Sequence, residues 1–389
     1  MRSGRLDKLP PYLFIEIDRL KNSLLENGVD VLDLGIGDPD IGPPEILVNH
    51  LITAIESGKH NRYPPDRGHT LLISAIIAWA KREYRVELSE DEVLVTIGSK
   101  EAIGHLPLAV VDQGDLVLVP DPGYPVYRSS SILAGADLIN LPLKDGNGFW
   151  PELDSVEKTA LSRAKILVLN YPNNPTSAVA LKERFKEAVE IAGKFNILLV
   201  NDAAYSEVIF EGAYIPLFPI AREKGIDYVE FYSFSKSFSI TGWRVGYAIG
   251  SPSVIGSLAK VKSNLDSGVF GAIQEAVAEV MNRNYEKVIE DMREIYRIRR
   301  DILADYLQKA GLVFQLPPAT FYFWVKVPDA RDSISFCRYL LEKKGIVATP
   351  GVGFGKHGEG YFRLSITSSE DILEKAGRAI VELSERGWK

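Results

Sequence analysis

The chain has 389 residues, 46% of them hydrophobic and 25% charged, and its 45 basic against 52 acidic residues leave a formal charge of -7. That size allows one large core and a smaller second one, in a composition typical of globular proteins. The acidic balance and the lack of a dense Lys/Arg stripe argue against a nucleic-acid partner, and the single cysteine, Cys337, excludes an intrachain disulfide or a clustered thiolate metal site.

Met1 to Lys8 run into Pro10 and Pro11 before any long apolar stretch, so no signal peptide is expected and the expected compartment is the cytoplasm. No uncharged apolar run reaches the roughly 18 residues of a membrane span. The segment Leu9–Phe14 reads as an extended arm, followed by a short amphipathic helix through Ile15, Ile17, Leu20 and Leu24. Val31–Asp40 reads as a strand breaking into a glycine turn, and Pro43-Pro44 open a helix to about Ser57, since proline fits the first helical turn. The two prolines and the glycine of Asn61–Gly68 mark a loop, which leads into a helix from about His69 to Tyr84.

From there strands and helices alternate: strands at Val93–Thr96, Leu116–Val119, near Leu138, at Ile166–Leu169 and Ile197–Val200, with helices after Gly98, Tyr124 and Leu181. Several of these strands are continuous apolar runs, the pattern of a sheet covered on both faces. The expected class is α/β with a mostly parallel central sheet. Helical periodicity with many charges runs from about Ile273 to Ala310 and suggests a long connecting helix with breaks. A strand at Phe321–Val325, a helix near Ser333–Lys343, a glycine-rich loop Thr349–Gly355, a strand Tyr361–Ile366 and a last helix capped near Ser368 or Ser369 then make a small α+β unit. The expected division is an arm and part of the small domain at 1–45, a large α/β domain at 46–280, and a small α+β domain at 281–389.

Chemistry-bearing residues gather at the ends of these strands, where the crevice of an open α/β sheet lies. Ser233–Arg244 is rich in hydroxyls and glycine and places Lys236 and Arg244 eight residues apart, between a strand Tyr228–Ser233 and a strand Arg244–Ile249. A lysine held by a loop between buried strands can have its amine pKa lowered, while hydroxyls and an arginine can take a phosphate. A surface lysine in a serine-rich turn is the plainer reading. Asp202 emerges where Ile197–Asn201 ends, with Tyr205 three residues on, and could equally cap a helix. Asn174 lies in a Pro/Asn turn after a strand, and Tyr124 on the rigid turn Asp121–Tyr127 suits either ring stacking or core cover. Ser99 and Lys100 open a helix whose free N–H groups can bind phosphate, although glycine and serine also begin many ordinary helices.

The ordered set Asn174 with Pro175 and Thr176, Asp202 with Tyr205, Lys236, Arg244 and Arg363 resembles the signature of the class I/II aminotransferases of fold type I, which use pyridoxal 5'-phosphate. The spacings agree as well: 28 residues from Asn174 to Asp202, 34 more to Lys236, and 127 from there to Arg363. The resemblance implies that Lys236 is the catalytic Schiff-base lysine and Asp202 the partner of the pyridinium nitrogen. Asn174 and Tyr205 would donate to the ring's phenolic oxygen, and Tyr124 would stack on the ring. Ser99, Lys100, Ser233, Ser235 and Arg244 would hold the phosphate, with Tyr63 reaching it from a neighbouring subunit of a homodimer. Arg363, with Gly37 close by, would take the α-carboxylate of amino-acid and 2-oxo-acid substrates. One departure stands out: where the family's Asn-Pro-Thr is usually followed by glycine, this chain has Ser177, for which a turn adjustment is expected.

Longer strings, among them Asp33–Asp40, Val119–Tyr127, Asn170–Thr176, Asp202–Glu207 and Asp266–Phe270, resemble the prokaryotic branch of the family that acts on LL-diaminopimelate, with 2-oxoglutarate as the expected acceptor, in lysine biosynthesis. Within that resemblance Lys100 is a candidate for the distal carboxylate and Asp66 for the distal ammonium, each with a plain surface reading beside it. A broader alanine, aspartate or aromatic aminotransferase is the nearest alternative. A pyridoxal phosphate lyase and a cofactor-binding regulator stand further off, the latter because no spare domain is visible for it.

Overall fold

The computed structural model describes residues 3–9, 21, 22, 26 and 30–388. The expected arm from Pro10 and the helix through Ile15, Ile17, Leu20 and Leu24 fall outside them. A short strand β1 (Leu32–Asp33) comes first. Seven strands then build the central sheet: β2 (Val93–Thr96), β3 (Leu116–Asp121), β4 (Asp137–Pro142), β5 (Ala164–Leu169), β6 (Leu198–Asp202), β7 (Tyr228–Ser233) and β8 (Gly246–Gly250). Their spatial order is β2-β8-β7-β6-β5-β3-β4. Every pair is parallel except those of β8, which runs against both β2 and β7. Strands β2, β3, β6 and β8 are buried at every position, which is why their sequences are apolar up to the polar residues that end β2, β3 and β6.

One face of the sheet packs on the helix Thr70–Tyr84 and the helices around it, with Trp79, Phe185, Phe218 and Val277 at the centre. The other face is covered by the helices Ser99–Val110, Pro125–Ala134 and Pro252–Leu265 through Leu106, Tyr127 and Leu258. Trp79 meets Tyr232 and Tyr247 edge-on at 5.5 and 6.0 Å, and those two rings stack at 4.8 Å. Tyr232 and Tyr247 are also register partners on β7 and β8, so a cross-strand aromatic pair fixes the pairing just before the chain leaves the sheet at Ser233.

The expected connecting helix is two helices, Gly271–Arg283 and Tyr285–Lys309, broken at Asn284. Beyond it, β9 (Tyr322–Lys326), β10 (Ile346–Val347), β11 (Thr349–Pro350) and β12 (Tyr361–Ser365) follow. An antiparallel sheet of order β11-β12-β9 and a small parallel pair of β1 with β10 share a core with the helices Ser333–Lys344 and Glu370–Glu385. Leu34, Tyr296, Phe323, Phe336 and Leu373 are all buried in it. The segment from β1 to Asp40 is thereby tied to β12: Ser365 and Thr367 both donate to the carbonyl of Ile36, at 2.8 Å each.

Two local readings are corrected. Lys236 lies in a short helix, Phe234–Ser237, begun by the Ser233 hydroxyl accepting from the Ser235 amide. Arg244 does not begin the next strand: it adopts a left-handed turn at φ 57°, and β8 starts at Gly246.

Candidate active site

A cavity of about 440 Å³ opens at the carboxyl ends of the parallel strands. Its wall gathers Gly37, Ser99, Lys100, Tyr124, Asn174, Asp202, Tyr205, Ser233, Ser235, Lys236, Arg244 and Arg363 from segments more than 300 residues apart. Tyr63 and Asp66 are not among them. They sit on the loop between the helices Glu45–Glu56 and Thr70–Tyr84, both exposed, Tyr63 by 91%.

Asp202 ends β6 and is buried. The Tyr127 hydroxyl donates to its carboxylate at 2.6 Å and the Ala204 amide at 3.3 Å. Burial nevertheless dominates and pushes the carboxyl up to about 6. A buried carboxylate with so little compensation suits a cationic partner delivered by a ligand. The Lys236 amine donates to the Gly37 carbonyl at 2.6 Å. Burial pushes it down to about 8; the charge of Asp38 works upward, while Arg363 and Arg244 push further down.

Groups able to hold a phosphate stand opposite. The helix Ser99–Val110 begins at Ser99, so its first N–H groups face the cavity end of the sheet. Gly98 precedes it at φ +70°, where an added Cβ would lie 2.6 Å from Arg244 Nη2. The guanidinium is braced there by the Thr241 carbonyl at 2.7 Å. Behind this helix a charge network fixes its first turn. Glu101 accepts from the Ile97 amide and from the fully buried Lys262 amine at 3.1 Å, which also reaches Asp266 at 2.6 Å. Burial raises the Glu101 carboxyl, but His105 Nδ1 at 3.3 Å, the Ile97 amide and Lys262 hold it below its ordinary value.

Arg363 projects from β12 and is 5% exposed. It donates to Asn174 Oδ1 and to the Gly35 carbonyl, both at 2.8 Å, while its Nε has no hydrogen-bond partner among the described residues. Its guanidinium lies 4.0 Å from the Tyr322 ring and 4.7 Å from Phe354. The Tyr322 hydroxyl meets that of Tyr205 at 2.8 Å, and an added Cβ on Gly37 would fall 1.9 Å from it. Only glycine at position 37 leaves Tyr322 where it is. Asn170 completes the group, donating to the Asp202 carbonyl at 2.7 Å and accepting from the Asn174 amide at 2.9 Å.

Sequence reasoning passed over Tyr127, Asn170, Tyr322 and Phe354. Tyr127 and Asn170 lie inside strings already singled out, so position in the string was the available signal; nothing marked Tyr322 or Phe354 among the aromatics of their segments.

A helix start beside an arginine for phosphate, a buried carboxylate for a ring nitrogen, an amine of lowered pKa and an arginine with an unpartnered Nε form a donor set that fits pyridoxal 5'-phosphate and an amino acid's carboxylate. The fold and this cavity define a pyridoxal phosphate-dependent aminotransferase of fold type I. Residues 29–380 match the family described as aminotransferase class I and II, and the chain belongs to it.

Within that family it is similar to the LL-diaminopimelate aminotransferase of Aquifex aeolicus, with 45% identity over 380 residues, 97% of each chain. Among solved structures, substrate-bound BacF from Bacillus subtilis superposes with a TM-score of 0.93 at 32% identity, covering 99% of this chain and 98% of that one. Aspartate aminotransferase from Thermus thermophilus with maleate gives 0.91 at 31% identity, covering 98% of this chain and all of the other.

Proposed function

We propose that the chain interconverts LL-2,6-diaminopimelate plus 2-oxoglutarate with tetrahydrodipicolinate plus glutamate, in two half-reactions through one cavity, in lysine biosynthesis. One observation carries the substrate assignment: the 45% identity to the Aquifex LL-diaminopimelate aminotransferase extends over 97% of both chains. Identity to the Thermus aspartate aminotransferase is 31%.

Bound pyridoxal phosphate supplies an electron sink that makes the substrate α-proton acidic. Lys236 would hold the cofactor through Nζ and, once displaced by the substrate amine, take up the α-proton. An amine near 8 is roughly one quarter neutral at pH 7.5, whereas an ordinary lysine is almost wholly charged. Asp202 would keep the ring nitrogen protonated, with Tyr127 orienting its carboxylate. Asn174 and Tyr205 would face the phenolic oxygen and Tyr124 the ring. Ser99, the Lys100 amide, Ser233, Ser235 and Arg244 would hold the phosphate. Arg363 would pair with the α-carboxylate as a two-pronged donor, beside Gly37.

Tyr63 and Asp66 lie outside the cavity of their own chain, and a second copy in a homodimer would bring them to it, Tyr63 toward the phosphate and Asp66 toward the distal ammonium. Lys100, exposed at the cavity mouth, would draw the distal carboxylate.

The test is single-turnover spectroscopy of the loaded enzyme. LL-diaminopimelate is expected to bleach the cofactor's visible band at lower concentration than aspartate, alanine or aromatic amino acids do, and 2-oxoglutarate to restore it. If glutamate bleaches the band and LL-diaminopimelate does not, the substrate assignment is wrong while the aminotransferase chemistry stands.

A further inference from the structure

Ser177 and Thr320, both buried beside the site, have left-handed backbones without being glycine, at φ +62° and +61° and exposed by 1% and 0%. A side chain in that conformation is strained, and such strain persists only where surrounding contacts hold it. Here the contacts join the two residues to each other. The Ser177 hydroxyl donates to the Tyr322 carbonyl at 2.5 Å and lies 2.7 Å from Thr320 Oγ1, which in turn accepts from the Tyr322 amide at 3.2 Å.

Because serine has one hydroxyl proton and spends it on the Tyr322 carbonyl, Thr320 must be the donor between the two hydroxyls. The bonds therefore run in one direction around a closed ring, from the Tyr322 N–H through Thr320 and Ser177 back to the Tyr322 C=O. Strand β9 is the edge of its sheet; on the side turned away from β12 its far end is met by Val313 and Phe314, while at Tyr322 this ring takes the place of a ladder partner.

Tyr322 is one of the residues through which both halves of the site touch. Its hydroxyl meets Tyr205 and its ring lies under the Arg363 guanidinium. Ser177, for its part, closes the turn that carries Asn174, through its amide to the Asn173 carbonyl at 2.9 Å. We infer that Ser177 is a positioning residue: its hydroxyl, with that of Thr320, locks the Asn174 turn to β9 and so fixes Tyr322 beneath the carboxylate-binding Arg363. The inference rests on the reading of Arg363 proposed above.

The test compares Ser177→Gly, which adopts the native φ without strain, with Thr320→Val, which keeps the branched shape and removes the hydroxyl. The readouts are melting temperature, the Kd of the loaded enzyme for succinate, a non-reacting dicarboxylate, and KM and kcat for glutamate. Each variant is expected to raise the succinate Kd and the glutamate KM by about five- to tenfold, the size of one lost buried hydrogen bond. kcat should stay within about twofold, the melting temperature of Ser177→Gly should not fall, and the double variant should add little to either single one.

Wild-type Kd and KM in Ser177→Gly would overturn the inference, as would a joint fall of kcat and melting temperature with KM unchanged. Arg363→Lys separates the two readings. If it leaves the succinate Kd unchanged, the assignment of Arg363 fails; if it weakens binding while Ser177→Gly does not, only the role of Ser177 fails.

Discussion

Replacing Asp202 by asparagine should make the cofactor-free protein more stable at pH 7.5 while crippling the enzyme. Burial raises this carboxyl from 3.8 to about 6, a difference of about two pKa units or ~3 kcal/mol held against the charged form. The folded state thus binds a proton more readily than the unfolded state between about pH 4 and pH 6. Stability from this group is present below about pH 4 and is lost as pH rises through about 6. An asparagine keeps the shape, still accepts from Tyr127, and has no charge to bury.

At about 2 °C per kcal/mol for a chain of this size, the cofactor-free variant should melt several degrees above wild type at pH 7.5 and keep only about a third of that gap at pH 4.5. Other carboxylates titrate in the same range, so the informative quantity is the difference between the two proteins at each pH, read by calorimetry. In the loaded enzyme the ring nitrogen would lose its proposed anionic partner, and kcat should fall by on the order of 10²–10³. An equal gap in melting temperature at both pH values, or none at either, would refute the assignment of burial as the cause.

In the cofactor-free protein Lys236 should be acylated ahead of an exposed lysine such as Lys165 at pH 8, by peptide mass mapping, because its amine sits near 8; equal rates would sink that expectation. Its sign is opposite to that of Asp202: the folded amine releases its proton first, so this group's contribution to stability rises with pH between about 8 and 10.5. Lys262→Met should destabilise the fold by about 3–5 kcal/mol in urea titration, since it strands Glu101 and Asp266 beside a buried apolar side chain; a loss below about 1 kcal/mol would show the network to be dispensable.

Much of this architecture was legible because the sheet is covered on both faces: β3, β5 and β6 announce themselves as apolar runs, and Asn174 and Asp202 stand where β5 and β6 stop. The reversed direction of β8 was not, since an apolar run carries no arrow. Nor was the pairing of Tyr127 with Asp202 or of Asn174 with Arg363, 75 and 189 residues apart, because such contacts exist only once separate segments converge. Ser177 was visible as an oddity in a turn, but its function depends on an edge strand more than 140 residues away. Tyr63 and Asp66 mark the other boundary: the family resemblance singled them out, and a single chain leaves them facing outward.

The reversal of β8 has a mechanical consequence. Because β7 and β8 are neighbours running in opposite directions, the twelve residues between Ser233 and Gly246 must turn back at one end of the sheet and cannot cross to the other. Lys236 and Arg244, the proposed reacting amine and phosphate ligand, are therefore two points on a single short span, anchored at both feet to the same sheet. Arg363 is carried by a different core. Any rocking of that core would move Arg363 relative to this span while leaving Lys236 and Arg244 at the same separation, so an opening for substrate exchange would leave these two proposed cofactor contacts together.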